Sequence, residues 1–380
     1  MENNKIKKIW IAFVDDWELS GDGFGNVINM QYKTALKLMD LYKRLGVKAT
    51  FNVEVMQQLA FERYTDRYQE IKVQKDYWIK TVKIMRKKGF DIQLHIHPQW
   101  HNAVYDGKSW KLDKRWNITS YSEKLIENFV KSSIGYLNSN FHSYYPVSFR
   151  GCEWGICCPS YPLFKILENY GIKLDISVVN GLYFDNKHIK LDYTNLESPY
   201  LPYFPDYNDA RKISKTKTNI IEIPTQSFYR SWGYIIKKAF MKMESGKDTI
   251  LSSRKSRNNR YSVVKKALNS IENDELRVMN KKEIKSKRKH IIMDISNLDI
   301  YALKIGFDMI IGRAVKTPGT GVVPLVFVSH TKYLTDGKLN NIESSIAYLR
   351  KKYGGSIEFV TLKKIVDNIE LIDPIKIKLS

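Results

Sequence analysis

Cysteine is scarce in this 380-residue chain: Cys152, Cys157 and Cys158 are the only three, odd in number and crowded together. A disulfide scaffold needs pairs spread along the chain, so the pattern argues against one and fits a reducing, cytoplasmic compartment. Long apolar runs are missing as well, with no window approaching the ~18 consecutive apolar residues of a membrane-spanning helix. The opening MENNKIKKIWIAFVDD is basic, but its short apolar run ends in two aspartates, which the core of a signal peptide does not carry. GDGFG at 21–25 has no Gly-Lys-Ser/Thr behind it, so nothing supports a nucleotide phosphate loop.

Acidic residues are few, 40 against 62 Lys and Arg, which leaves a formal charge of +22. The excess is uneven: residues 237–289 hold 17 Lys/Arg and 6 Asp/Glu, half of the total. Such a balance favours an anionic partner, whether a membrane surface, a nucleic acid or a phosphate-bearing substrate. A Lys- and Ile-rich codon usage accounts for it equally well. The composition, 43% hydrophobic and 27% charged, is that of a globular protein.

Order appears as a repeated cycle. IKKIWIAFV at 6–14 reads as a buried strand with Asp15 and Asp16 at its C-terminal end. A helix over 30–45 stops at Gly46 and VKATFNV follows as a strand. The cycle continues with a helix around 72–88 and the strand FDIQLHI, a helix near 120–137 and VSFRG, then a helix from Pro159 to Tyr170 and IKLDISVV. Later strands are IIEIP at 220–224, IIMDIS at 291–296, VPLVFVSH ending at His330, and IEFVTL, with helices at 299–315 and 339–353. Alternation of this kind predicts a parallel sheet with crossover helices. Asp15, Asp16, His95, His97 and Arg150 then all fall at strand C-termini, the edge where such folds place their chemistry.

Two adjacent carboxylates at a strand end are costly to bury unless a cation binds them. With a metal, one would coordinate and the other would take a proton from water; without one, the pair reads as a loop cap. Only seven histidines occur, yet three lie in DIQLHIHPQWH, residues 91–101. His95 and His97, spaced i, i+2, project to one side of an extended chain. His97 and His101, spaced i, i+4, converge only on a helix, which Pro98 disfavours at His97 but suits in a first turn. Both pairs remain open on spacing alone. Two imidazoles and a carboxylate suit zinc or a similar divalent ion. Arg150 is placed to hold an aspartate ionised or is simply a surface charge, and His330 is placed to give a proton to a leaving amine or is simply a satisfied strand-end histidine. A thiolate nucleophile at Cys157 or Cys158 has no histidine tied to it by sequence.

The order of these pieces resembles that of the polysaccharide deacetylases of carbohydrate esterase family 4. FVDDW resembles the family's first motif, GVKATFNV its second strand, KKGFDIQLHIHP the strand with the metal histidines, SFRG the arginine motif, and VSH the closing motif. The resemblance covers most of the chain but not 237–289. It implies a distorted (β/α) barrel of about seven strands, one domain over 1–380 with 237–289 as a basic helical insertion. It also implies Asp15 as base, Asp16, His95 and His97 as metal ligands with His101 in reserve, Arg150 as the group orienting the base, and His330 as acid. The commoner family motif is His-Ser/Thr-x-x-His; LHIHPQW looks more like the His-x-His-Pro variant of proteins from surface-polysaccharide clusters. Arg150 is followed by Gly-Cys-Glu-Trp, without the family's usual proline.

The activity implied is zinc-dependent removal of an N-acetyl or related acyl group from a sugar in O-antigen or capsule assembly. The expected substrate is a lipid-linked or nucleotide-linked glycan, handled in the cytoplasm with peripheral contact to the inner membrane face, and no nucleic acid is expected. The rival reading is a glycan- or membrane-binding protein that keeps the fold without the chemistry.

Overall fold

Strands predicted from apolar, β-branched segments pair side by side in one parallel sheet, in a computed structural model that describes residues 8–142, 144–151, 160–185, 190–250, 290–316 and 321–372. Cys152, Cys157 and Cys158, and residues 251–289 of the basic insertion, lie outside the described residues. In chain order the strands that matter are β1 (Ile9–Trp17), β2 (Ala49–Glu54), β3 (Asp91–Ile96), β4 (Ser148–Gly151), β5 (Leu174–Asp175), β6 (Ile221–Glu222), β7 (Ser227–Tyr229), β8 (His290–Ile292), β9 (Val323–Ser329) and β10 (Ile357–Phe359). The sheet runs β6-β5-β4-β3-β2-β1-β9, and β10 adds to β1 as an eighth strand. Single parallel bridges, Val179 to Thr225 and Thr225 to Val326, link the two sides and close the curve irregularly. The architecture is a distorted (β/α) barrel.

Helices α1 (Lys33–Arg44), α2 (Met56–Glu62), α3 (Gln69–Lys87), α4 (Glu123–Phe141), α5 (Leu163–Asn169), α6 (Trp232–Ile250), α7 (Ile300–Lys316) and α8 (Asp336–Tyr353) connect these strands. Strand alternation sorts the core into two layers. Ile9, Ile11, Phe13 and Trp17 of β1 pack outward with Leu38, Tyr42, Phe51, Leu94 and Phe327. Trp10, Ala12 and Val14 face inward with Ile176, Ile223, Val326 and Val328. Gly46 and Gly89 end α1 and α3 with positive φ, the left-handed stop that glycine adopts without strain.

Two expectations are revised. The segment IKLDISVV forms regular strand only over Leu174–Asp175, with a single further bridge at Val179; between them the Ile176 carbonyl accepts from Arg150 Nη1 at 2.6 Å and Thr225 Oγ1 at 2.9 Å. Of IIMDIS, Ile291 and Ile292 pair, together with the preceding His290, with β7 in an antiparallel ribbon outside the sheet, and Asp294 alone bridges to Val328. Among the described residues, no helix is long and apolar enough to cross a membrane.

Candidate active site and metal centre

The end of β1 decides which carboxylates reach the barrel interior. Successive strand residues face opposite ways, so Asp16 follows Trp10, Ala12 and Val14 inward while Asp15 follows Phe13 outward. Glu18, two residues beyond Asp16, turns to the same side. Asp16 and Glu18 line a cavity of about 160 Å3 with His95, His97, Gly151, His330, Lys332 and Tyr333. Asp15 is not among the lining residues; it accepts from Ser329 Oγ at 2.6 Å and from Thr331 N at 3.4 Å.

Glu18, His95 and His97 converge. Their ligating atoms all lie within 4.8 Å of one another, and all three are buried. The two Nε2 atoms are 2.9 Å apart, His95 Nε2 is 3.0 Å from Glu18 Oε2, and His97 Nε2 also contacts that oxygen. Two imidazole nitrogens and a carboxylate oxygen directed at one point are the donor set of a divalent ion with positions left for water and substrate. The surroundings fit that use. His95 Nδ1 lies 2.8 Å from the Arg150 carbonyl, so it is the protonated nitrogen and leaves the Nε2 lone pair toward the centre. Gln99 Nε2 lies 2.8 Å from His97 Nδ1; the flipped amide, with its oxygen facing the ring, would do the same for His97. Glu54 fixes the backbone here, accepting from Met56 N, Gln57 N and His97 N at 2.8, 2.6 and 3.1 Å.

Burial disfavours every charge in this group, and the partners decide the outcome. Glu18 is held well below the usual carboxylate range because His97 and Lys332 outweigh its desolvation. Two imidazoles this close cannot both be cationic, and their pKa values split. Burial, with the neighbouring His95, pushes His97 down to about 4. His95 is raised, burial being overcome by its bond to Glu18 and the charge of Asp16.

Beside this group stands a second ion pair. Arg150 Nε donates to Asp16 Oδ2 at 3.1 Å, and Asn52 Nδ2 donates to Asp16 Oδ1 at 2.9 Å. The guanidinium is 1% exposed, and Nη1 is bound to the Ile176 carbonyl and Thr225 Oγ1. It overcomes the desolvation of Asp16 and keeps that carboxylate below its ordinary range. His330 Nε2 lies 3.7 Å from Asp16 Oδ2, while its Nδ1 lies 3.0 Å from Asp294 Oδ2. Burial opposes protonation of His330, but Asp294 prevails and its pKa is raised. Lys332 contacts Glu18 Oε1 and reaches the Leu19 carbonyl at 3.3 Å.

The structure therefore brings together Asp16, His95, His97, Arg150 and His330 of the expected set. Arg150 meets Asp16 and not Asp15, and Asp15 lies in the layer behind the cavity. His101 caps the short turn Pro98–Trp100, with its ring 4.9 Å from Phe129 and outside the Glu18 group. Sequence reasoning missed Glu18, Asp294 and Lys332. Glu18 carried a usable signal: it stands i, i+2 from Asp16, the spacing that aligned His95 with His97.

No protein-family model matches the chain, and no curated protein is similar to it in sequence. Solved structures are similar in fold. A protein named as a polysaccharide deacetylase from Mycobacterium smegmatis superposes with a TM-score of 0.52 at 11% identity, covering 100% of this chain and 97% of that one. One named as a glycoside hydrolase/deacetylase from Parabacteroides distasonis gives 0.50 at 11% identity, over 96% of this chain and 72% of the other. The fold is that of the polysaccharide deacetylases.

Proposed function

We propose that the protein is a metal-dependent hydrolase that removes an N-acetyl or related acyl group from a sugar. The observation that carries this reading is the juxtaposition, in one cavity, of the Glu18–His95–His97 donor set with an arginine-held aspartate and a histidine bonded to a second aspartate. We assign the metal, zinc by its donor chemistry, to Glu18, His95 and His97. A divalent ion there would supply an activated water and polarise the acyl carbonyl. The base is Asp16 in place of Asp15, because Asp16 lines the cavity and Asp15 does not. Arg150 and Asn52 fix its two oxygens, so a proton taken from water is accepted at a defined position. His330, whose Nδ1 is held by Asp294, directs Nε2 to the cavity and delivers the proton that the leaving amine needs.

In this reading residues 1–380 form one domain with 237–289 inserted in it. The substrate is an N-acetylated sugar on a lipid or nucleotide carrier, used in cytoplasmic assembly of a surface polysaccharide. Release of acetate from N-acetylated oligosaccharides is the test: it should occur with the zinc-loaded protein, stop on chelation, and return on adding zinc. Stoichiometric metal without any acyl release would instead favour a glycan-binding protein that keeps the fold.

A further inference from the structure

Helix α6 has two apolar sides and uses only one. Ser231 starts it, its Oγ accepting from Tyr234 N at 3.2 Å. Tyr234, Lys238 and Ala239 are buried, and α6 packs against α7. Lys238 is spent on this contact, pairing at 2.9 Å with Asp299, and Lys237 lies 3.3 Å from Asp308. On the other side Trp232, Ile236 and Phe240 are 78%, 51% and 59% exposed. Their i, i+4, i+8 spacing puts them in one stripe. Three large exposed apolar side chains in a row are unusual for a surface that meets only water.

The location of the stripe has meaning for the cavity. Thr225 bridges in parallel to Val326, and Gln226 N bonds the Val326 carbonyl. The chain that continues through β7 to Trp232 therefore leaves at the edge of the sheet that carries His330. The contact to Asp299 ties α6 to the segment just after Asp294 and Ser296, both bonded to His330. The charge is one-sided too: residues 237–289, which α6 leads into, hold 17 Lys/Arg against 6 Asp/Glu.

We infer that the exposed face of α6 docks on an anionic lipid surface, with Trp232, Ile236 and Phe240 entering the interface and the chain's positive net charge favouring acidic headgroups. An apolar stripe on a chain of strongly positive net charge matches the two attractions that hold interfacial helices, burial and charge. Nucleic acid would use the lysines but not the stripe. Docking at this edge deepens the function proposed above, on which it rests, by giving the acetylated sugar a lipid carrier presented beside the cavity.

The test is cosedimentation of the full chain with phosphatidylcholine vesicles with and without phosphatidylglycerol, comparing the wild type with W232S/F240S and with the milder Ile236→Ser. The wild type should bind the anionic vesicles, more weakly in high salt, and W232S/F240S should bind at least about tenfold more weakly. Unchanged vesicle binding by that variant overturns the inference. So does a wild type that ignores phosphatidylglycerol, or a variant whose sole change is loss of a dimer in light scattering. Bound metal and acetate release from a soluble substrate, measured on the same samples, read the cavity separately. If docking follows the stripe while no acyl group is released, the lipid surface stands and the deacetylase reading falls.

Discussion

The cavity wall and the layer directly behind it hold the same kind of group under the same burial, with opposite results. Asp16 and Glu18 on the wall, and Asp294 bonded to the wall's His330, are held below the ordinary carboxylate range. Behind it, Asp15 is pushed up to about 7 and Glu54 to about 8. Burial is the largest influence on all five and raises each. The three charged carboxylates differ in facing a buried cation or imidazole: Arg150 for Asp16, His97 with Lys332 for Glu18, and His330 for Asp294. Asp15 and Glu54 are met chiefly by a hydroxyl and backbone N–H groups. A carboxylate kept charged without water can ligate a metal or accept a proton; one kept neutral is a hydrogen-bonding brace. Position on the strand, one residue apart, separates the two uses.

The most disruptive way to probe the wall is to remove an imidazole. His95→Ala and His97→Ala should each abolish stoichiometric metal, a larger loss than the ~10–100-fold that follows loss of an outer hydrogen-bond partner. His101→Ala should leave metal content unchanged in the same elemental assay. Next comes Asp16→Asn, expected to lower kcat by ~10²–10⁴, the range for a positioned base. Asp15→Asn should cost less than about tenfold, and equal losses in the two would erase the distinction between wall and backing layer.

Arg150→Met tests the ion pair itself. It leaves Asp16 charged and buried without its partner, so urea unfolding should show a loss of ~3–5 kcal/mol. The smallest effect concerns the backing layer and pH. Because the Glu54 pKa is raised on folding, the stability it contributes is complete below its unfolded value of ~4.3 and is lost as pH rises through about 8. Glu54→Gln should therefore flatten the fall in Tm across that window, and an unchanged slope would show that the group is not neutral in the fold.

Much of this was legible in the chain because strand periodicity is a strong signal. The segments around Asp16, His95, Arg150 and His330 announced themselves as apolar runs, and all four residues reached one edge. The strand period likewise puts His95 and His97 on one side, although spacing alone left the pair His97 and His101 open. The same period of two, applied to FVDDWE, separates Asp15 from Asp16 and joins Asp16 to Glu18. The motif resemblance pointed instead to Asp15 as base and Asp16 as ligand, one and two residues before the Asp16 and Glu18 of the proposed roles. Asp294 was harder to see, since IIMDIS looks like an ordinary strand and only the bridge to Val328 sets its aspartate beside His330. The exposed stripe on α6 was illegible too: apolar residues at helical spacing read as core until the partner face is known.

The identity of the carboxylate that completes the metal centre tests the account most directly. Metal per chain should be measured on purified Glu18→Gln and Asp16→Asn after reloading with zinc. The account predicts that Glu18→Gln retains none and that Asp16→Asn retains a full equivalent while losing activity. A full equivalent in Glu18→Gln with none in Asp16→Asn would contradict it and return the ligand to Asp16.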